Sequence, residues 1–134
     1  MRYLGIDYGT KRVGVSISDE GGTIAFPHVI IENNRNLIDE IQKICVREKV
    51  GMVVVGESVN DKGVPNVVMK KIESFITELQ KHANLPIVTE REFFTTQQAR
   101  FFQKDKAHVD DSAAAIILQS YLDSKNRKSV LETI

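Results

Sequence analysis

Four positions of this 134-residue sequence carry acids that could take part in catalysis. Asp7 and Glu57 each follow a short apolar run, Glu90 or Glu92 follows another, and Asp110 or Asp111 opens a helical pattern. The residue pattern alone does not choose within either pair. Taken singly, each has a plain structural interpretation as a turn residue, an exposed loop acid or a helix cap. An acid at the end of a core strand is nevertheless costly unless it is paired or binds a cation.

Acids gathered in this way would form a metal site. The carboxyl ends of parallel strands meet at one edge of an open α/β sheet, so we expect the four carboxyl groups to converge. Converging carboxylates repel one another strongly without cations, and hard oxygen ligands suit Mg²⁺ or Mn²⁺. Two such ions about 4 Å apart stabilise the attacking and leaving oxygens of a phosphodiester. The acids therefore predict metal-dependent hydrolysis of nucleic acid, with the carboxyl groups within roughly 10 Å of one another.

The spacing of apolar residues predicts the elements that must position these acids. Strand patterns cover residues 3–7, 13–17, 23–32, 52–55 and 85–88. Helical patterns cover residues 35–48, 65–79, 95–103 and 109–123. Pro27 indicates that the third strand lies at a sheet edge. A meander followed by alternating helices and strands predicts one α/β domain over residues 1–125, and we expect the polar tail 126–134 to be frayed.

Composition narrows the class of protein. The chain carries 18 basic and 18 acidic residues, which counts against non-specific coating of DNA, although bound metal ions can supply positive charge locally. Cys45 is the one cysteine and stands in a helical pattern, so we expect a reduced core thiol. No apolar run approaches the roughly 20 residues that span a bilayer, and the start does not resemble a signal peptide. We therefore expect a cytoplasmic protein with no membrane contact.

Several polar residues are weaker candidates. Lys11 and Arg12 follow Asp7 closely and could contact phosphate, although isolated basic residues are more often solvated surface. Thr95 stands where it could cap a helix or contact phosphate. The three histidines are too scattered for a zinc motif: His28, His82 and His108.

Four blocks of the sequence resemble one known family. Residues 5–19, GIDYGTKRVGVSISD, are similar to the opening signature of the YqgF family, also called RuvX, the family of pre-16S rRNA nucleases. Looser blocks resemble the family at residues 54–63, 95–99 and 109–122. The likeness extends from residue 1 to about 123, nearly the whole chain.

The resemblance implies a ribonuclease-H-like fold related to the RuvC Holliday-junction resolvases. Such a fold has three α/β/α layers around a five-stranded mixed sheet, with three antiparallel strands followed by two parallel ones. The implied activity is Mg²⁺- or Mn²⁺-dependent cleavage of phosphodiester bonds, usually assigned to 5′-end processing of the small-subunit ribosomal RNA precursor. The family's acids fall on Asp7, on a glutamate of the third block and on Asp110.

This chain departs from the family in two blocks. The third block usually has Asp-Glu-Arg shortly before a Ser/Thr-Thr pair. An ungapped match to Thr95-Thr96 puts the family glutamate on Glu92, whereas matching Glu90-Arg91 requires a two-residue insertion. In the second block Glu57-Ser58 replaces a Leu-Pro pair, and an acid there resembles the RuvC and ribonuclease H arrangement. Glu57 is therefore also a candidate ligand.

Three functions remain open at this point. The leading one is a nuclease that trims structured ribosomal RNA. A junction-resolving DNA endonuclease is the second, and it predicts a homodimer rather than a monomer, because a four-way junction presents two equivalent strands. The third is a non-catalytic nucleic-acid-binding assembly factor. A sugar-kinase-like ATPase is disfavoured because the chain is too short for two lobes.

Overall fold

A computed structural model describes the backbone of residues 1–57, 67–91 and 109–133, and the side chains of 1–57, 67–91 and 113–127. It contains the strands β1 Arg2–Asp7, β2 Arg12–Ser18, β3 Ala25–Glu32, β4 Val50–Glu57 and β5 Ile87–Arg91. It contains the helices α1 Leu37–Arg47, α2 Val67–His82 and α3 Val109–Thr133. The predicted helix at 95–103 lies outside the described residues.

The five strands form one mixed sheet in the order β3-β2-β1-β4-β5. Pairing is antiparallel from β1 to β2 and from β2 to β3, and parallel from β1 to β4 and from β4 to β5. This confirms the predicted topology and places β3 at an edge, as Pro27 indicates. The β2–β3 register shifts between Val15 and Ser16, where Ser16 pairs with Pro27. A proline lacks the amide that an interior ladder needs, so an edge strand with a bulge accommodates it.

Helices cover the sheet on both sides and make three layers. On one side, which we call the α1–α2 face, Leu4, Ile6, Val53 and Val55 pack with apolar residues of α1 and α2. On the other side, the α3 face, the buried cluster is formed by Tyr3, Val54, Ile117, Leu118 and Leu122. Alternate residues of each strand therefore belong to opposite faces.

Helix α3 runs antiparallel to β1. A Cβ added to Gly5 would lie 2.7 Å from the Cβ of Leu118, and the ring centroids of Tyr3 and Tyr121 are 6.0 Å apart. Later residues of α3 thus lie against earlier residues of β1, so the first turn of α3 is directed toward the carboxyl end of β1. The helix continues to Thr133 instead of ending at 123, because the residues after Leu122 include no glycine or proline that would end it. It includes most of the range that we expected to be frayed.

Two further expectations concern the core and the membrane. Cys45 is buried in α1, as predicted, and burial raises the pKa of its thiol to about 11. Among the helices of the described residues, none combines the length and the hydrophobicity that a membrane-spanning helix needs.

Candidate active site

Asp7 ends β1 on the α3 face of the sheet. The residues on either side of it, Ile6 and Tyr8, both pack into the α1–α2 core, and the Tyr8 ring lies 5.0 Å from that of Phe75. Because side chains alternate along a strand, Asp7 is directed to the opposite side. It is partly buried there and makes contacts within the fold.

Glu90 lies on the same face in the same row of residues. It pairs with Gly56 of β4, and the pairing of Ile6 with Val55 puts Gly56 beside Asp7. The hydroxyl of Ser120 in α3 donates a 3.4 Å hydrogen bond to Glu90 Oε1, so the side chain of Glu90 lies on the α3 face. Two strand spacings separate the Cα atoms of Asp7 and Glu90 by about 10 Å. Since Gly56 has no side chain, it places no group between the two carboxylates.

Asp110 lies in the first turn of α3, and its side chain is outside the described part of the structure. One helical turn later, the carbonyl oxygen of Ala114 accepts a 2.8 Å hydrogen bond from the hydroxyl of Ser16. Ser16 pairs with Gly5, two residues before Asp7. The backbone of Asp110 therefore extends from this contact in the direction in which Asp7 lies.

Glu57 reaches the same end of the sheet but lies on the other face. It follows Val53 and Val55 in the alternation of β4, and both belong to the α1–α2 core. Its carboxylate accepts a 2.6 Å hydrogen bond from the Thr89 hydroxyl, and its Oε2 lies 4.0 Å from Arg91 Nε. Adjacent strands thus bring Glu57 to the expected edge without placing it beside Asp7, because an edge has two faces.

The basic residues follow Asp7 closely: Lys11 lies in the turn between β1 and β2, and Arg12 is the first residue of β2. Lys11 and Arg12 are exposed, as a phosphate contact requires. The turn is held by Asn33, whose Nδ2 donates a 2.8 Å hydrogen bond to the Gly9 carbonyl and whose backbone amide donates one of 2.9 Å to the Lys11 carbonyl. Asn33 was not among the candidate residues predicted from the sequence. An asparagine just past a strand end is a signal for such side chain-to-backbone bonding.

The remaining predicted site residues, Glu92 and Thr95, lie outside the described residues, as does His108. Within the side chains that are described, no group of three or more histidine, cysteine or acidic residues could hold a metal ion. The donors that share the α3 face are nevertheless of the right kind, since Asp7 and Glu90 offer only carboxylate oxygens. Cys45 is buried in α1 on the opposite side, so this donor set fits Mg²⁺ or Mn²⁺ and not a soft metal.

Comparison with solved structures supports the fold. The RuvC protein of T. thermophilus, solved in complex with a Holliday junction substrate, superposes with a TM-score of 0.64 at 14% identity, over 93% of this chain and 96% of that chain. The Fowlpox virus resolvase, solved with Holliday junction DNA, gives a TM-score of 0.60 at 14% identity, over 92% and 98%. At these identities the likeness establishes a shared RuvC-like, ribonuclease-H-like fold.

Sequence relatives are more similar. A protein of Nitratidesulfovibrio vulgaris named "Putative pre-16S rRNA nuclease" is 33% identical over 133 positions, covering 92% of this chain and 94% of its own. A protein of the same name from Thermoanaerobacter pseudethanolicus is 35% identical over 139 positions, covering 96% and 100%. The family model described as "RuvX: Holliday junction resolvase" matches residues 1–124. The match includes the whole sheet and the first turns of α3, and the chain therefore belongs to the RuvX family.

Proposed function

We propose that this protein is a metal-dependent nuclease that hydrolyses phosphodiester bonds in structured nucleic acid, with the 5′ end of pre-16S rRNA as its substrate. One observation carries the proposal: Asp7 and Glu90 lie on one face in one row, and the helix that opens with Asp110 covers that face. The names of the relatives support the RNA substrate. Processing of a ribosomal RNA precursor would take place in the cytoplasm.

The proposed ligands are Asp7, Asp110 and one glutamate of the third block. Glu90 has the support of its position on the α3 face, and Glu92 has the support of the ungapped family match. Bound Mg²⁺ or Mn²⁺ would supply the charge that stabilises the attacking and leaving oxygens. The protein's own contribution is to hold the acids on rigid strands and on one helix, so that little reorganisation accompanies binding.

Binding of the nucleic acid is assigned to the exposed residues that flank these acids. Lys11 and Arg12 stand beside the carboxyl end of β1, where their charges would position the phosphate backbone. Thr95 is proposed to contact phosphate as well. Such contacts fix the register of the strand being cut without reading its sequence, which suits recognition of a structured RNA by shape.

A junction-resolving DNA endonuclease is the second candidate. The family description and the two superposed resolvases favour it. It requires a homodimer with two sites related by twofold symmetry, whereas trimming one RNA end requires only a monomer.

One experiment separates these functions. The purified protein is incubated with Mg²⁺ or Mn²⁺ and three substrates: a structured RNA spanning the 5′ end of pre-16S rRNA, single-stranded RNA and a four-way DNA junction. An Asp7→Asn variant purified in parallel detects contaminating nucleases. We expect cleavage of the structured RNA that stops in EDTA. Symmetric cutting of the junction alone would favour the resolvase, and binding without cleavage in all arms would favour the assembly factor.

A further inference from the structure

A buried serine joins the sheet to the helix that carries Asp110. Ser16 is fully buried in β2, and its hydroxyl donates a 2.8 Å hydrogen bond to the carbonyl oxygen of Ala114 in α3. A helix carbonyl already accepts a bond from the amide four residues later, so this one accepts a second donor that comes from the sheet. The bond ties one particular turn of α3 to one particular position of β2.

A glycine allows the helix to approach this serine. Gly5 pairs with Ser16 across β1 and β2. A Cβ at position 5 would overlap the Ser16 hydroxyl oxygen and would lie 2.7 Å from Leu118 Cβ and 3.0 Å from the Ala114 carbonyl oxygen. The backbone of α3 therefore rests directly on β1. We call Gly5, Ser16, Ala114 and Leu118 the helix seat.

The helix seat lies at similar distances from the two aspartates. Asp7 is two residues along β1 from Gly5, or about 7 Å. Asp110 precedes Ala114 by one helical turn, or about 6 Å along the axis. Because α3 is antiparallel to β1, both displacements have the same direction. Any slide or rotation of α3 at the helix seat would therefore change the separation of Asp7 and Asp110 directly.

We propose that Ser16 is a positioning residue that holds Asp110 opposite Asp7 by fixing α3 on the sheet. The inference rests on the proposed function, since it assigns Ser16 to the same metal-binding site. Ser16 itself touches neither metal nor substrate. Its hydroxyl sets the position of a helix whose first turn supplies a ligand.

The chain contains a matched control two residues away. Ser18 lies on the same strand and is also buried, but its hydroxyl accepts a 2.8 Å hydrogen bond from the Tyr3 amide and donates one of 2.8 Å to the Asp19 carbonyl. These partners belong to β1 and to the turn after β2, not to α3. Ser18→Ala should thus destabilise the fold, as Ser16→Ala does, without freeing the helix.

The first measurement uses metal alone. Mn²⁺ is titrated into each variant without nucleic acid, and the rise in melting temperature reports binding. We expect Ser16→Ala to weaken Mn²⁺ binding by roughly tenfold or more, the scale seen for groups that orient metal ligands, and Ser18→Ala to leave it near wild type. Ser16→Cys leaves no cavity, because its sulfur is somewhat larger than the hydroxyl oxygen, but it is a much weaker donor. It should also weaken binding, which covers the case in which the alanine variant fails to fold. If the Ser16 variants bind Mn²⁺ with the same affinity as Ser18→Ala, the proposal is overturned.

The second measurement does not depend on nuclease activity. In metal-free buffer, a double-mutant cycle of Asp7→Asn and Asp110→Asn measures the repulsion between the two carboxylates. We expect this coupling to fall when Ser16 is replaced and to persist when Ser18 is replaced. An unchanged coupling in Ser16→Ala or Ser16→Cys would contradict the positioning role. The two proposals can fail separately. If the protein cleaves no substrate, but the coupling between Asp7 and Asp110 still falls when Ser16 is replaced, the proposed function is refuted and the positioning role of Ser16 is supported.

Discussion

The hydroxyl of Thr89 donates a 2.6 Å hydrogen bond to the carboxylate of Glu57 on the α1–α2 face of the sheet. Arg91, two residues further along β5, lies 4.0 Å from the other oxygen of the same carboxylate. Both oxygens of Glu57 therefore have partners from β5 on the side of the sheet away from α3. Glu57 therefore connects the ends of β4 and β5, and it lies on the opposite face of the sheet from Glu90.

Glutamine substitutions distinguish the three glutamates. The structure predicts that Glu57→Gln leaves the cleavage rate near wild type, because the amide oxygen can still accept the Thr89 hydrogen bond. Glu90→Gln should reduce the rate by at least about 100-fold, because it removes a charged ligand of the metal ions that would stabilise the transition state. Single-turnover rates at several Mg²⁺ concentrations would separate weaker metal binding from slower chemistry. A severe Glu57→Gln would instead support the candidate ligand inferred from the sequence, and a severe Glu92→Gln with a mild Glu90→Gln would support the ungapped family match.

Asp7→Asn should abolish cleavage and raise the melting temperature in metal-free buffer, because it relieves repulsion among neighbouring carboxylates. Calorimetry in EDTA measures the second effect independently of the first. Asp19→Asn is the matched control at the end of β2. The amides of Ile24 and Thr23 donate hydrogen bonds to Asp19 and lower the pKa of its carboxyl, so losing that charge should lower the melting temperature and spare cleavage. A lower melting temperature for Asp7→Asn would indicate that Asp7 is a turn residue.

Asn33→Ala should loosen the turn that carries Lys11. The lost side-chain hydrogen bond to the Gly9 carbonyl corresponds to about 1 kcal/mol of stability in a typical case. Because Lys11 is proposed to position phosphate, KM for the RNA should rise while kcat changes little. Asn34→Ala is a suitable control, since its side chain accepts a bond from the Asn36 amide at the start of α1 instead. An equal KM for the two variants would argue against a role for this turn in binding RNA.

The buried thiol of Cys45 predicts a pH dependence of stability. Burial raises its pKa from 9.0 to about 11, so the folded state favours the neutral thiol. That contribution is complete below about pH 9 and is lost as the pH rises through 11. Urea unfolding of wild type and Cys45→Ala at pH 8 and pH 11 should show a stability difference that shrinks at the higher pH. A difference independent of pH would mean that Cys45 is not shielded from solvent.

The pattern of apolar residues predicts the face on which each side chain lies for some strands and not for others. Val13, Val15 and Ile17 alternate with small residues, and this alternation correctly predicts β2. The run Val53-Val54-Val55 is apolar at every position because helices cover both faces of β4, so it shows no alternation. The side of the sheet on which Glu57 lies is therefore not readable from the sequence, although its position at a strand end is.

The residues that sequence analysis missed owe their importance to distant partners. Ser16 bonds to Ala114, 98 positions away, and Asn33 bonds to Gly9, 24 positions away. Neither of these pairings can be predicted from the local periodicity of the sequence. Ser16 lies in an alternating strand and looks like any other serine there. It can be singled out only when the register of β1 against β2 and the position of α3 on the sheet are known.

The separation of Ser16 and Ala114 along the chain also bears on how the protein is made. Synthesis proceeds from the amino end, so β1 and β2 leave the ribosome long before the helix that covers them. Asp7 is therefore present early, and Asp110 joins it only after all five strands have been made. A nascent chain would carry one acid of the proposed site without the other. The proposed metal site would consequently remain incomplete until α3 has been synthesised.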